Sequence, residues 1–505
     1  MTATVTALSE HAADPFTWES DDVAPPDGAA WDLLVVGGGA AGLVAAKTAA
    51  EFGTSVLLVE RDRIGGDCLW TGCVPSKALL SAAHAAHDAR AAARYGIRVD
   101  GVTVDFPAVM ASVRAAIATI EPTDSPDAMR AAGVCAIHGS ASFTSPRTAI
   151  VNGHPVRFRR ALIATGAAPV MPPIPGLAEA VPLTNESVFG LTQLPDRLLV
   201  LGGGSIGCEL GQAFARLGSR VTIAEAAERL LVREDADAAG LVTDALFGDG
   251  VQVHVGVAVT AVRLDGPGWV ADLADGSEIG FDTVLVAVGR RPRTSALGLD
   301  VAHGELDQRG FVQVDARLRT TNPRIWAAGD LTGHPQFTHT AGVHGSLAAA
   351  NAVLGLRRRV NIASTPRVTF TQPEVAAVGV NMQRARALAL TVRTVRHTEV
   401  DRAIAEQQTA GFSRLVLDGR GRVVGATIVG PRAGESLPES VLAARQGLRA
   451  RDLAASTHAY PTYGDGLWNA AIAQVQAQLT NGFMSRATRG LAGFRRWTLR
   501  RSDRS

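Results

Sequence analysis

The sequence is short of several things, and each shortage excludes something. Four cysteines in 505 residues cannot staple a disulfide scaffold. No apolar run reaches the roughly 18 residues that a membrane-spanning helix needs. The opening, MTATVTALSEHAADPFTWESDDVAPPDG, has no basic segment followed by an apolar stretch, so it does not read as a signal peptide. It is acidic and contains prolines, and residues 1–30 are expected to form a disordered arm. A net charge of +1 gives no electrostatic footprint for nucleic acid. Lysine occurs only at Lys47 and Lys77, and no cysteine follows Cys208. The expected compartment is a reducing cytoplasm, where a close cysteine pair is more often catalytic or metal-binding than structural.

What is present is concentrated in a few segments. Residues 65–80, GGDCLWTGCVPSKALL, bring Cys68 and Cys73 within five positions of each other and place Lys77 just after them. Two thiols this close can store two electrons as dithiol and release them as disulfide. A helix N-terminus or nearby positive charge would draw a thiol down from its usual value of about 8.5 towards the reactive thiolate. A structural disulfide is one alternative, and half a zinc site is the other. It would need further ligands, and His84 and His87 follow at helical spacing, but they read as an exposed helix face.

Upstream, WDLLVVGGGAAG ends a short apolar strand in Gly37, Gly39 and Gly42. A helical stretch follows, then the strand SVLLVE ending at Glu60. This is a βαβ unit in which glycines permit a tight turn and close approach to a pyrophosphate, and the acid can accept from a ribose hydroxyl. The unit recurs in RLLVLGGGSIGCELGQAFARLGSRVTIAE, with Gly202, Gly204, Gly207 and Glu225 at matching places. One such unit could be an ordinary Gly-rich turn, whereas two complete units argue for two dinucleotides. ALIATGAAP (161–169) and VLVAVGRRP (284–292) resemble each other, and TNPRIWAAGDLTG ends a strand at Asp330. From about residue 361, strand-like and Ala-rich helical runs alternate, as in a separate α+β domain.

In these motifs, from about Trp31 to Gln474, the sequence resembles the FAD-dependent pyridine nucleotide–disulfide oxidoreductases. That family includes dihydrolipoamide dehydrogenase, glutathione reductase and mercuric reductase. The resemblance implies an α/β fold with two Rossmann-like domains, one for FAD and one for NAD(P)H, plus a C-terminal α+β dimerisation domain. The layout expected is an FAD domain over 31–185 and 306–360, an NAD(P) domain over 186–305, a dimerisation domain over 361–480 and a basic tail over 481–505. It implies that Cys68 and Cys73 are the redox-active pair, Cys68 attacking the acceptor and Cys73 facing the flavin. It places Lys77 beside the flavin with Glu209 as its partner, and Asp330 at the ribityl chain. Thr165, Gly166 and Gly289 also fall on cofactor-binding positions.

The sequence departs from the family where the acceptor would bind. The thiol-disulfide members carry a His-Pro-Thr segment with a glutamate five residues after the His, supplied by the partner subunit as acid and base. Here the segment is THAYPTYGDG, with Tyr460 in place of the His and Asp465 in place of the Glu. A tyrosine near 10 is a poor base at neutral pH, though it can donate a hydrogen bond or bind a metal ion. His458 would share a face with Tyr460 in an extended segment and could stand in for the base. Tyrosine matches mercuric reductase, but the C-terminal cysteine pair of that enzyme is missing. Trp70 also stands where most members have Asn, beside the interchange thiol in sequence.

Glu225 suits a ribose 2′-hydroxyl and repels a 2′-phosphate, so NADH is favoured over NADPH, although Arg229 lies near enough to blur the preference. The expected protein is a homodimer whose site is shared between subunits. It would pass electrons from NAD(P)H through FAD and the Cys68–Cys73 pair to a small acceptor, either a metal ion such as Hg(II) or a disulfide, with no resident metal. Dihydrolipoamide dehydrogenase, a quinone diaphorase reacting at the flavin, and a flavoprotein scaffold subunit are the alternatives. The C-terminal run from Arg486 holds seven arginines and one acid with Leu491, Phe494, Trp497 and Leu499 interleaved. A frayed, solvated tail is favoured there over an anchor on an anionic membrane.

Overall fold

A computed structural model of the chain describes residues 24–25, 28–480 and 482–502. The expected N-terminal arm lies almost wholly outside the described residues. The chain divides into two compact units. One runs up to Leu230 and resumes over Leu246–Ile362, and the other takes Leu231–Ala245 and the chain from Ala363 onward.

The first unit holds both nucleotide-type folds. Trp31–Val36 pairs in parallel with Val56–Glu60 on one side and His154–Ile163 on the other. Val134–His138 extends the parallel edge, Ile325–Ala327 pairs with His154–Ile163, and an antiparallel meander of Ala141–Ser145 and Thr148–Val151 completes seven strands. The parallel strands are apolar without alternation because both faces are covered. Leu33, Val35 and Leu58 pack on the helix side, and Leu34, Leu57 and Ile163 on the other. Helices Ala40–Glu51 and Thr338–Leu354 meet through alanines, among them Ala45, Ala49, Ala348 and Ala352. At Gly345 a Cβ would come within 2.2 Å of the Ala41 carbonyl oxygen, so only glycine lets these helices approach so closely.

The second nucleotide fold is a four-stranded parallel sheet in the order Gln252–Val255, Arg220–Glu225, Arg197–Leu201, Thr283–Val286. The two similar glycine-ended segments found in the sequence meet one another, since Ala167–Pro169 and Arg290–Pro292 pair antiparallel.

The second unit is built on a five-stranded antiparallel sheet in the order Pro366–Thr369, Glu374–Gly379, Val423–Gly430, Phe412–Leu417, Thr391–Arg396. Residues 231–245, expected inside the NAD(P) domain, belong to this unit instead. Ion pairs tie these residues to the rest of the unit. Buried Arg414 reaches Asp235 at 2.9 Å and Asp237 at 2.5 Å, and Arg367 reaches Glu234 at 2.7 Å. The C-terminal residues differ from the expected frayed tail, because Gly482–Ser502 form a helix. Among the described residues no helix is long and apolar enough to cross a membrane.

Candidate active site

The two glycine loops are near-copies. At Gly37 and Gly202 φ is 105° in both, and a Cβ would lie 2.5 and 2.6 Å from the carbonyl oxygens of Ala164 and Ala287. At Gly42 and Gly207 a Cβ would lie 1.8 and 1.9 Å from the carbonyl oxygens of Gly37 and Gly202. These positions are closed to any side chain by backbone. The middle glycines differ: a Cβ on Gly204 would meet nothing within 4 Å, and one on Gly39 only the Gly66 Cα at 3.8 Å. Each loop thus leaves open space at the residue before its helix, as a pyrophosphate-binding turn requires. Glu60 and Glu225 also match, accepting from the Gly38 N–H at 2.5 Å and the Gly203 N–H at 2.6 Å. The residues therefore fit two dinucleotides.

The first loop also places the cysteines. The Gly65 N–H donates to the Gly38 carbonyl at 3.0 Å, and a Cβ on Gly66 would come 2.7 Å from the Gly39 Cα. The segment before Cys68 is therefore seated on the glycine loop itself. Cys68 lies in the short helix Gly66–Trp70, and Cys73 is the first residue of the helix Cys73–Ala91. Both cysteines are free thiols. The Thr338 hydroxyl lies 3.1 Å from the Cys73 sulfur and hydrogen-bonds Cys68 as well. Thr338 opens a helix of its own, so two helix N-termini converge on this thiol pair.

The thiols are split electrostatically. A hydrogen bond from Cys68, opposed by burial and reinforced by the Thr338 hydroxyl and the Lys77 ammonium, draws Cys73 down to about 6. The same Cys73 contact, with burial, pushes Cys68 up. The two sulfurs are thus driven in opposite directions. Lys77 sits one turn into the Cys73 helix and reaches Glu209 at 2.8 Å, as expected. Glu209 is buried on the helix Ser205–Leu217.

His84 and His87 correct the sequence reading. They are half-buried and face the second nucleotide fold rather than solvent. The His87 Nδ1 lies 3.1 Å from Asp249, which also binds Arg216 at 2.9 Å. Burial drives His84 down to about 4. Among the described residues no group of three or more potential ligands could hold a metal ion.

Asp330 follows Gly329 at the end of the strand Ile325–Ala327. Burial raises its carboxyl, and Arg290, at 3.7 Å, opposes the rise. Arg290 is also ion-paired with Asp67, the residue before Cys68. The Thr165 hydroxyl donates to the Arg293 carbonyl at 2.6 Å, the Arg293 N–H donates to the Gly166 carbonyl at 3.0 Å, and the Val170 N–H donates to the Gly289 carbonyl at 2.9 Å. Thr338, Asp67 and Arg290 escaped the sequence reading. The Gly-Asp-Cys and Gly-Arg-Arg-Pro strings were visible, but nothing local tied one to the other.

Tyr460 lies in the second unit, exposed, with its hydroxyl donating to Asp401 at 2.5 Å. That bond raises its pKa further. Asp465 does not take up the tyrosine hydroxyl and instead accepts from the Thr462 N–H at 3.0 Å at the start of the helix Asp465–Thr480. His458 and Tyr460 have different partners. Its Nε2 lies 2.9 Å from Glu439, its Nδ1 lies 3.0 Å from the Ser456 carbonyl, and its ring stacks on Trp468. Both ring nitrogens are engaged. The Trp70 indole donates to the Ile64 carbonyl at 2.8 Å and lies under Arg63.

The protein-family models agree with this geometry. The pyridine nucleotide-disulphide oxidoreductase model matches residues 31–345, and the dimerisation domain of the same family matches 365–471. A mercuric reductase from Streptomyces lividans is 39% identical over 453 residues, covering 87% of this chain and 95% of the relative. A dihydrolipoyl dehydrogenase from Geobacillus stearothermophilus is 36% identical over 451 residues, with the same coverage of each. Among solved structures, LpdA from Mycobacterium tuberculosis superposes with a TM-score of 0.81 at 28% identity, covering 88% of this chain and 99% of that one. A Cu(II) complex of the flavoprotein disulfide reductase RclA from Escherichia coli superposes with a TM-score of 0.77 at 28% identity, covering 86% and 98%. Members of this family use FAD and NAD(P)H. Two duplicated glycine loops, a thiol pair seated on the first of them and likeness along most of its length make this chain a member of the FAD-dependent pyridine nucleotide-disulphide oxidoreductase family.

Proposed function

We propose that the Cys68–Cys73 dithiol delivers electrons from NADH to a soft metal ion, of which Hg(II) is the leading example. The observation that carries this is the state of the second unit: Tyr460 is bonded to Asp401, and His458 has both ring nitrogens engaged. Thiol–disulfide exchange needs a base that cycles its proton near neutral pH. Reduction of a thiophilic ion needs sulfur ligands and a hydroxyl donor instead. As the S–S bond forms, the dithiol gives up two electrons and the Cys68 proton; a divalent ion that becomes metal takes the two electrons, and the proton passes to solvent. Bound FAD supplies the exchange of those electrons between the nicotinamide and the sulfurs.

The residues have separate tasks. Cys68 meets the acceptor, and Cys73 faces the flavin with Lys77 and Glu209 beside it. Gly37, Gly39, Gly42, Glu60, Thr165, Gly166, Gly289 and Asp330 hold FAD. Gly202, Gly204, Gly207 and Glu225 hold the nicotinamide dinucleotide. Glu225 favours NADH, and the Arg229 guanidinium donates to the Leu230 carbonyl at 3.2 Å. Tyr460 of the partner subunit closes the acceptor site.

The test measures NADH oxidation by wild type and Cys68→Ser against Hg(II), Cu(II), lipoamide, glutathione disulfide and a soluble quinone. Metal-ion turnover is expected to collapse at least ~100-fold in the variant while the quinone rate survives. Equal rates with every acceptor would make the protein a direct flavin reductase. Turnover of lipoamide rather than metal ions would restore the disulfide reading.

A further inference from the structure

The C-terminal helix Gly482–Ser502 lies beyond the part of the chain matched by the dimerisation-domain model, which ends at residue 471. It carries Arg486, Arg489, Arg495, Arg496, Arg500 and Arg501 and no acidic residue. Leu491, Phe494 and Trp497 are spaced by three and fall within an arc of about 120° at 3.6 residues per turn. Arg489, Arg496 and Arg500, spaced by seven and four, lie on the opposite side. The apolar arc faces solvent, with Leu491 69%, Phe494 63% and Trp497 53% exposed. Phe494 and Trp497 stack on one another at 5.9 Å.

We propose that this helix lies on an anionic lipid surface, with its aromatic arc in the headgroup region and its arginines against lipid phosphates. Three arguments choose this occupant. The helix is too polar to span a bilayer but has the two-faced pattern of an interfacial helix. A second copy of the same helix would set six arginines against six, with no acid on either side to offset them. Nucleic acid would satisfy the arginines and leave Leu491, Phe494 and Trp497 in water. Arginines beside a bilayer attract phosphatidylglycerol-type headgroups, each worth about a fivefold gain in partition at low salt.

The experiment uses the purified flavin-loaded full-length protein. Cosedimentation is measured with phosphatidylcholine vesicles and with vesicles containing phosphatidylglycerol, at low and high salt. Wild type is expected to pellet with the anionic vesicles only and to be released by salt. The triple variant Arg489→Gln/Arg496→Gln/Arg500→Gln is expected to partition about a hundredfold more weakly. The variant Phe494→Ser/Trp497→Ser is expected to lose binding while its NADH oxidation stays at the wild-type rate. Wild type that stays in the supernatant overturns the proposal, as does equal binding to neutral vesicles. A change of sedimentation coefficient in Phe494→Ser/Trp497→Ser overturns it in favour of a face between copies of the chain. Salt-sensitive binding to duplex DNA that survives in Phe494→Ser/Trp497→Ser, with no vesicle binding by wild type, overturns it in favour of nucleic acid.

Discussion

At Cys73 four neighbours act in opposite senses on one sulfur. Cys68, Thr338 and Lys77 favour the thiolate, and burial and Glu209 oppose it. Two substitutions around the ion pair should therefore shift the sulfur in opposite directions. Lys77→Met is expected to raise the Cys73 pKa above about 6, and Glu209→Gln to lower it. Thiolate absorbance of the dithiol form against pH reads both, and shifts of the same sign would break the assignment. The stability sign follows, since a thiol held below its ordinary value stabilises the fold at high pH and loses that contribution as pH falls through about 6. The cysteine pair was legible because five positions of chain hold it together. Thr338 and Asp401 were not, being 265 and 59 residues from their partners Cys73 and Tyr460. His87 was misread because helical spacing says which residues share a face, not what that face meets.

At the level of elements, the βαβ units were legible because backbone sterics, not side-chain chemistry, dictate their glycines. The two loops still separate packing from binding. Gly42→Ala places a methyl 1.8 Å from a backbone oxygen, and an overpacked site of this kind costs about 1–3 kcal/mol or more. Gly39→Ala meets only open space and the Gly66 Cα. Gly42→Ala is thus expected to lower the melting temperature of the flavin-free protein. Gly39→Ala is expected to melt like wild type and retain less flavin, read from the ratio of flavin to protein absorbance. A reversed pattern would show that the middle glycine serves packing. The charges of the segment Leu231–Ala245, Asp235 above all, are matched by an arginine 179 residues away, a pairing that chain order alone does not reveal.

At the scale of the molecule, the dimerisation domain makes the protein a homodimer, and the proposed site needs Tyr460 from one subunit and Cys68 from the other. A mixture of Cys68→Ser and Tyr460→Phe subunits tests this. In a shared arrangement each hybrid dimer has one doubly damaged site and one intact site, and so recovers roughly half the wild-type rate. Hybrids no faster than the parent variants would place Tyr460 and Cys68 in the same subunit. Dimerisation was legible only through family likeness, because the antiparallel sheet of the second unit has no pattern peculiar to an interface. The helix at the C-terminus was legible in composition but not in conformation, since arginine content alone does not distinguish a frayed end from a formed helix.

The split between the two sulfurs has a calorimetric consequence. The contact between them draws Cys73 towards the thiolate and Cys68 away from it. A soft divalent ion taken up by both sulfurs should then expel one hydrogen ion per binding event, where two ordinary thiols would expel about two. Titration heats collected in buffers of different ionisation enthalpy count that release directly. A slope of one means that the resting protein has done half of the deprotonation before the metal arrives, and a slope of two means that the sulfurs are equivalent.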